Sequence, residues 1–189
     1  MKHILTIIAS FILLSGLSGC LGNGDWEKYE TWRIENNKWY ESMVNLHDAD
    51  GNPYFKQLSP SWNQSSGVLI HYFNDRSLTA GNLSPLMTST VDVKYLGRLY
   101  NNQAFDSSYL NTADYGDSIY RTQPYLNIEG WQIALNDMHV GDSAEVVIPY
   151  TQGYGAAGTT RIPPYTALKF YIKLVGIPAY EIAPDMIGK

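Results

Sequence analysis

The side chains that most often carry out metal or cofactor chemistry are few and widely separated in this chain. Beyond the amino-terminal segment the histidines are His47, His71 and His139, and none stands at metal-ligand spacing from another histidine, a cysteine or a carboxylate. There is no P-loop, and no G-x-G-x-x-G motif follows a strand-like segment. The sequence therefore predicts neither a metal site nor a cofactor, and each histidine is interpreted as a surface or core residue.

Nucleophilic hydrolysis finds equally little support. Gly116-Asp117-Ser118 and Gly141-Asp142-Ser143 echo the opening of one esterase motif, but both lie in turn-like contexts without a downstream Asp-x-x-His, and there is no G-x-S-x-G elbow. A serine hydrolase is therefore disfavoured.

What remains is a dispersed set of aromatic side chains with a few polar tips. The aromatic members are Tyr95, Phe105, Trp131, Tyr154 and Phe170, and Asp106, Ile128 and Ile162 lie among them. Any single aromatic residue can be interpreted simply as part of the core. For Phe105 and Phe170, taken singly, core packing and a role in a functional site are equal alternatives. What these residues do therefore depends on the elements that bring them together.

Length and composition favour one folded domain. The chain has 189 residues, 16% of them charged and 13% aromatic, so a disordered chain is excluded. The net charge of −5, with no basic run, disfavours nucleic-acid partners.

Two kinds of period predict the secondary structure of the domain. Residue types alternate with period two from Val68 and Val91 onward, which predicts two half-buried strands, and from Ala144 and Leu168 onward, which predicts two more strands. Trp131, Ala134, Leu135 and Met138 take helical spacing, and Gly141 follows them as a stop signal. The predicted fold class is α+β, with an antiparallel sheet curled over one short helix.

A longer helix is predicted to precede this domain. The segment Trp26–Leu46 contains no glycine or proline, and its aromatic and apolar residues recur at three- and four-residue steps. The broad stripe that they form must be buried. Packing against the following domain is the favoured interpretation, which predicts a monomer, and a dimerisation arm is the alternative. The acidic segment 48–53 lacks the ligand spacing of an EF-hand and is interpreted as a turn.

The amino terminus has the features of an export signal. A basic start at residues 1–3 is followed by an apolar run over 4–14 that is too short to span a bilayer. Leu17-Ser18-Gly19-Cys20 resembles the bacterial lipobox, which implies cleavage before Cys20 and attachment of diacylglycerol to its thiol. Leu21, rather than aspartate, after the cysteine implies an outer-membrane lipoprotein that faces the periplasm or the cell surface. A free thiol after ordinary cleavage, or an uncleaved anchor, is the alternative.

A series of motifs occurs in a characteristic order over roughly residues 66–177. They are Val91-x-Val93-x-Tyr95-x-Gly97-x-Leu99, Phe105-Asp106-Ser107-Ser108, Gly130-Trp131, Tyr154-Gly155 and Ile162-Pro163-Pro164-x-x-x-Leu168-x-Phe170. Together they resemble the FKBP-type peptidyl-prolyl cis-trans isomerases. The resemblance implies a bent antiparallel sheet wrapped around one short α-helix, in agreement with the periodicity, and an isomerase that needs no cofactor.

The resemblance also implies a role for each residue of the dispersed set. Five rings surround an apolar pocket for the substrate proline, those of Tyr95, Phe105, Trp131, Tyr154 and Phe170, with the Trp131 indole as the floor. The backbone N–H of Ile128 and the hydroxyl of Tyr154 would donate to substrate carbonyls. Asp106 would form a hydrogen bond in the pocket wall, and Ile162 would close one side. Tyr115, Tyr120 and Tyr125 are alternatives for a further aromatic wall.

Some residues depart from the family pattern. Asn127 and Glu129 flank Ile128, and Thr159, Thr160 and Arg161 follow Tyr154 where bulkier apolar or histidine side chains are common. These departures bear on substrate preference and on macrolide-inhibitor affinity. The predicted organisation is a signal peptide over 1–19, a tether and helical extension over 20–65, the isomerase domain over 66–177 and a tail over 178–189.

The sequence therefore predicts a lipid-anchored peptidyl-prolyl isomerase that assists the folding of exported proteins. Its partners would be proline-containing polypeptides and, through the lipid on Cys20, a membrane. One alternative is a holdase chaperone or peptide-binding module on the same fold, which a pocket blocked by Asn127 or Arg161 would favour. Another is a carbohydrate- or peptide-binding lipoprotein, which a row of exposed tryptophans would favour, namely Trp26, Trp32, Trp39 and Trp62.

Overall fold

Seven strands form one antiparallel sheet in the computed structural model, which describes residues 24–110 and 118–181. The strands are β1 (Lys56–Leu58), β2 (Val68–Tyr72), β3 (Thr90–Leu99), β4 (Ala104–Ser107), β5 (Tyr120–Thr122), β6 (Ser143–Ile148) and β7 (Leu168–Ala179). Their order is β1-β2-β6-β7-β3-β4. The strand β5 pairs with Val91–Val93 of β3, whereas β4 pairs with the later residues of the same strand. The predicted signal peptide, Cys20 and Tyr115 lie outside the described residues, as does most of the predicted tail.

The central pair of the sheet is β3 with β7. It runs from Thr90 opposite Ala179 to Leu99 opposite Leu168, and its register shifts on either side of Asp92. Such bulges bend and twist a sheet. The strands β2, β3, β6 and β7 were predicted from their alternation, whereas β1, β4 and β5 were not.

The short helix α2 (Glu129–Asp137) packs against the inner face of the sheet. Its buried side chains, among them Trp131, Ala134 and Leu135, contact the inward-facing residues of the strands in one core cluster. Val91, Val93 and Tyr95 on β3 belong to this cluster, as the alternation along that strand requires. The predicted α+β fold, a bent antiparallel sheet around one short helix with a helical extension before it, is confirmed.

The outer face of the sheet is partly covered by the helix α1 (Gly24–Val44). Trp39, Tyr40 and Met43 pack against a second cluster formed by Phe55, Leu69 and Val147. Because Leu69 and Val147 alternate with inward-facing residues, this cluster lies on the side of the sheet opposite α2. Every residue of Ala144–Ile148 is therefore buried, so β6 is a strand, as predicted, that is covered on both faces.

The helix α1 packs on its own domain, which is the arrangement that the sequence favoured. It ends at Val44, two residues earlier than predicted, and the Leu46 N–H then bonds to the carbonyl oxygen of Met43 (3.2 Å) in a tighter turn. Among residues 24–110 and 118–181, no helix combines the length and the apolar character that crossing a membrane requires.

A buried carboxylate holds the turn between α2 and β6. The Asp142 side chain is fully buried and accepts hydrogen bonds from Asn74 Nδ2 (3.0 Å), Thr79 Oγ1 (2.5 Å) and the His139 backbone N–H (2.8 Å). The Nε of Arg76 lies 3.3 Å from its Oδ2. Burial by itself would raise the pKa of Asp142, but these hydrogen bonds and the charge of Arg76 outweigh it and hold the pKa below its ordinary value. The carboxylate of Gly141-Asp142-Ser143 is thus a structural anchor.

Replacement of this carboxylate tests the anchor. Because the folded pKa is lowered, the stability that Asp142 contributes is present above its unfolded pKa of about 3.9 and is lost as the pH falls through the folded pKa. We expect Asp142→Asn to lower the free energy of unfolding at pH 7 by about 2–4 kcal/mol. Because asparagine does not titrate, the free energy of unfolding of the variant should also fall less than that of the wild type when the pH is lowered below 4.

Urea unfolding at pH 7 and at pH 3 measures both effects. Asp50→Asn is the control, because Asp50 is exposed. If Asp142→Asn were as stable as this control at pH 7, the carboxylate would not anchor the turn.

Candidate active site

A cavity of about 370 Å³ opens at the amino end of α2, on the inner face of the sheet. Helix α2 contributes Trp131 from its first turn, β3 contributes Tyr95 and β7 contributes Phe170. Its full lining is Tyr95, Asp106, Tyr120, Leu126, Asn127, Ile128, Trp131, Tyr154 and Phe170.

The indole of Trp131 is held by rings that meet it nearly at right angles. The Tyr95 ring lies 5.0 Å from it at 85°, and the Phe170 ring lies 5.3 Å from it at 88°. Edge-to-face contacts of this kind are favourable because the positive edge of one ring meets the negative face of the other. Trp131 is also almost fully buried, so it forms a rigid apolar base for the cavity.

The carboxylate in the cavity wall has both of its oxygens engaged. Asp106 Oδ2 accepts a hydrogen bond from the Tyr95 hydroxyl (2.8 Å), and Asp106 Oδ1 accepts one from the Ser107 backbone N–H (2.9 Å). Burial and the hydrogen bond to Asp106 raise the pKa of Tyr95, so the phenol stays protonated. This pair therefore shapes the wall, and Asp106 is not set up as a general base.

Two hydrogen-bond donors at the cavity are unused by the protein. Within the described ranges, no hydrogen bond involves the hydroxyl of Tyr154 or the backbone N–H of Ile128. The carbonyl oxygen of Ile128, by contrast, accepts from the N–H of Trp131 (2.9 Å) at the start of α2. Burial, followed by the nearby charge of Asp106, raises the pKa of Tyr154 and keeps its hydroxyl a donor at neutral pH.

The residues predicted from the sequence fall into two adjoining cavities. Six of them line the larger one, namely Tyr95, Asp106, Ile128, Trp131, Tyr154 and Phe170. Phe105 and Ile162 instead line a cavity of about 190 Å³ that shares Asp106 and Tyr154 with the first. Thr159, Thr160 and Arg161 complete this second cavity. The Phe105 ring nevertheless packs against Phe170, which lines the larger cavity, at a ring distance of 5.5 Å.

Three lining residues were not assigned from the sequence. Tyr120 was one of three alternatives for an aromatic wall, and its ring lies 5.6 Å from that of Tyr95, whereas Tyr125 is half exposed and outside the lining. Leu126 and Asn127 directly precede Ile128, and that adjacency was the one sequence signal for them.

The departure at Asn127 does not block the cavity. Its Nδ2 donates to Thr122 Oγ1 (3.1 Å) and to the carbonyl oxygen of Gln123 (2.7 Å), so the side chain is committed to the turn before α2. Arg161 is exposed and lies in the smaller cavity. In the part of the chain that the structure describes, no group of three histidine, cysteine, aspartate or glutamate side chains could hold a metal ion.

The sequence around this cavity is similar to known proteins. A family model described as FKBP-type peptidyl-prolyl cis-trans isomerase matches residues 81–175. The probable FKBP-type 25 kDa peptidyl-prolyl cis-trans isomerase of Pseudomonas aeruginosa is 42% identical over 89 residues, which are 46% of this chain and 35% of that protein. The peptidyl-prolyl cis-trans isomerase Mip of Coxiella burnetii is 36% identical over 96 residues, which are 50% of this chain and 39% of that protein.

The fold is also similar to a solved structure. A peptidyl-prolyl cis-trans isomerase from Pseudomonas syringae pv. tomato superposes with a TM-score of 0.61 at 25% identity, over 79% of this chain and 95% of that chain. The chain spans less than half the length of the curated relatives that it matches.

The absence of a side chain at Gly97 should be essential to the aromatic cluster. A Cβ atom there would lie 2.7 Å from Phe105 Cζ and 2.8 Å from Phe170 Cε1, so both rings would have to shift. We expect Gly97→Ala to cost about 1–3 kcal/mol of unfolding free energy and to move the NMR signal of the Trp131 indole N–H. Gly176→Ala is the control, because a Cβ there meets nothing within 4 Å. Equal unfolding midpoints for the two variants would contradict this packing argument.

Proposed function

Because this chain belongs to the FKBP-type peptidyl-prolyl cis-trans isomerase family, we propose that it catalyses the cis-trans isomerisation of Xaa-Pro bonds in polypeptides. The observation that carries the proposal is the cavity itself. It combines a rigid aromatic base of Trp131, Tyr95 and Phe170 with two unused donors, the Tyr154 hydroxyl and the Ile128 N–H.

The reaction explains why a nucleophile is unnecessary. Rotation about an Xaa-Pro amide crosses a barrier of about 18–20 kcal/mol, but it breaks no covalent bond. The planar amide is stabilised by charge separation between nitrogen and oxygen, which water solvates well. A cavity that excludes water removes part of that stabilisation, while positioned donors hold the twisted geometry.

The residues divide this work between them. The proline ring packs against the Trp131 indole, with Tyr95 and Phe170 beside it. The Ile128 N–H and the Tyr154 hydroxyl donate to carbonyl oxygens of the substrate, which fixes the chain on either side of the rotating bond. Asp106 keeps the Tyr95 ring in place through their 2.8 Å hydrogen bond.

The rival functions find less support. A pocket blocked by Asn127 or Arg161 would favour a non-catalytic holdase, but the cavity is open and the Asn127 amide is bonded elsewhere. A row of exposed tryptophans would favour a carbohydrate-binding surface. Trp32 and Trp39 pack against the domain, although Trp62 is exposed.

The cellular role that we propose is assistance to the folding of exported proteins from a lipid anchor. The signal-like segment 1–19 and the lipobox-like Leu17–Cys20 support it. Lipidation of Cys20 would hold the domain at the outer membrane, facing the periplasm or the cell surface. The burial of one face of α1 on its own domain supports a monomer.

A protease-coupled isomerisation assay on residues 21–189 tests the activity. We expect the fragment to accelerate cis-to-trans conversion of an Xaa-Pro peptide. Tyr154→Phe should lower kcat/KM about two- to twelvefold, since one hydrogen bond contributes about 0.5–1.5 kcal/mol, without changing the unfolding midpoint. Tyr125→Phe is the matched control, because Tyr125 lies outside the cavity. A wild-type rate equal to the uncatalysed one at micromolar enzyme would leave the holdase alternative.

Lipid attachment is tested separately in cells. We expect mass spectrometry of the mature protein to find a diacylglyceryl-modified Cys20 at the amino terminus. Stable membrane anchoring requires more than one acyl chain, and the proposed lipid is attached through the Cys20 thiol. Cys20→Ser removes that thiol, so the variant should be released from membranes. Gly19→Ala, which keeps a small residue before the cysteine, should be processed normally. Processing and membrane partition of Cys20→Ser at wild-type levels would disprove the anchor.

A further inference from the structure

The amino-terminal helix contacts the loop that carries part of the candidate active site. This loop, residues 153–167, lies between β6 and β7 and contributes Tyr154 to both cavities and Ile162 to the smaller one. Its far end, residues 163–167, lies against α1. The helix itself lies outside residues 81–175, the region that matches the family model.

A hydrogen-bond relay forms the first part of the contact. The Trp32 indole Nε1–H donates to Thr166 Oγ1 (2.9 Å), and the Thr166 hydroxyl donates to the carbonyl oxygen of Pro163 (2.6 Å). Thr166 is almost fully buried. Since Pro163 directly follows Ile162, the relay ties α1 to the chain beside a cavity-lining residue.

A buried amide forms the second part. The Asn36 side chain is fully buried within α1, its Oδ1 accepts from the Ala167 backbone N–H (3.0 Å) and its Nδ2 donates to the carbonyl oxygen of Trp32 (2.8 Å). A buried polar group is costly unless its partners are present, so this contact requires one position of the loop relative to the helix.

The loop is rigid enough to transmit such a constraint. Tyr165 has a φ of 60°, and its N–H bonds to the carbonyl oxygen of Gly155 (3.0 Å), the residue after Tyr154. Gly158 has a φ of 64°, and a Cβ there would clash with the carbonyl oxygen of Ile162. The N–H of Thr159 also bonds to that oxygen (2.7 Å). These two hydrogen bonds close the loop on itself, and the first one links the segment beside Thr166 to the residue after Tyr154.

We propose that Trp32 and Asn36 are positioning residues for the active site. Through Thr166 and Ala167 they hold the 153–167 loop in the geometry in which Tyr154 and Ile162 line the cavities. The amino-terminal helix is thus a functional part of the isomerase unit. This inference rests on the proposed function, because positioning has a catalytic consequence only if the cavity catalyses isomerisation.

Two matched pairs of variants separate positioning from general stability. Thr166→Val removes the relay hydroxyl at nearly constant volume, whereas Thr166→Ser retains it. Trp32→Phe removes the indole N–H that reaches the loop. Trp39→Phe makes the same substitution on the same helix, but Trp39 packs on the second cluster, formed by Phe55, Leu69 and Val147.

The full chain, in mild detergent, is assayed for kcat/KM on an Xaa-Pro peptide and for amide hydrogen exchange. Small displacements of catalytic groups lower rates steeply, so we expect Thr166→Val and Trp32→Phe to lower kcat/KM on the order of tenfold. Thr166→Ser and Trp39→Phe should stay within about twofold of the wild type. The amides of Thr159 and Tyr165 should exchange faster in the first two variants only.

Equal losses of kcat/KM in Trp32→Phe and Trp39→Phe would overturn the proposal, since the effect would then follow stability. Unchanged exchange of the loop amides in Thr166→Val would overturn it as well. A wild-type chain without isomerase activity would refute the proposed function instead. In that case the exchange comparison still decides whether α1 holds the loop.

Discussion

β3 and β7 pair antiparallel from Thr90–Ala179 to Leu99–Leu168, and this register sets the geometry of the candidate site. Side chains along a strand alternate between the two faces, so one register directs Tyr95 and Phe170 toward α2 and puts Gly97 opposite Phe170. A slip of β7 by one residue would turn the Phe170 ring to the outer face and remove that wall beside Trp131. The same register determines where β7 begins, and therefore where the preceding loop meets α1.

The site is held rigid by contacts within the protein. Its rings are locked by edge-to-face contacts, and its one lining carboxylate, Asp106, has both oxygens bonded by the protein. Burial keeps the phenols of Tyr95 and Tyr154 protonated. Such a cavity can bind an apolar ring and orient amide carbonyls without forming a covalent bond. This capability agrees with the family to which the chain belongs.

The helical extension changes the physical situation of the domain. An antiparallel sheet can leave one face in water, but here α1 and Phe55 cover part of that face, and β6 is buried on both sides. The extension contributes apolar burial at Trp39, Tyr40 and Met43 and specific hydrogen bonds at Trp32 and Asn36. Burial of these apolar side chains supplies most of the free energy that holds α1 on the domain, whereas the hydrogen bonds select a single docking geometry.

Local pattern was sufficient for β2, β3, β6, β7 and α2, because each is long enough for its period to show. The short strands β1, β4 and β5 span only three or four residues and exist through their partners. The motifs identified the residue set of the site, but Tyr120 could not be distinguished from Tyr125, and Phe105 and Ile162 lie in the smaller cavity. Asn36 carried no signal at all, since a polar residue within a helix usually faces water. Only tertiary structure decided these points, because they depend on which distant segments meet, and neither periodicity nor motif spacing contains that information.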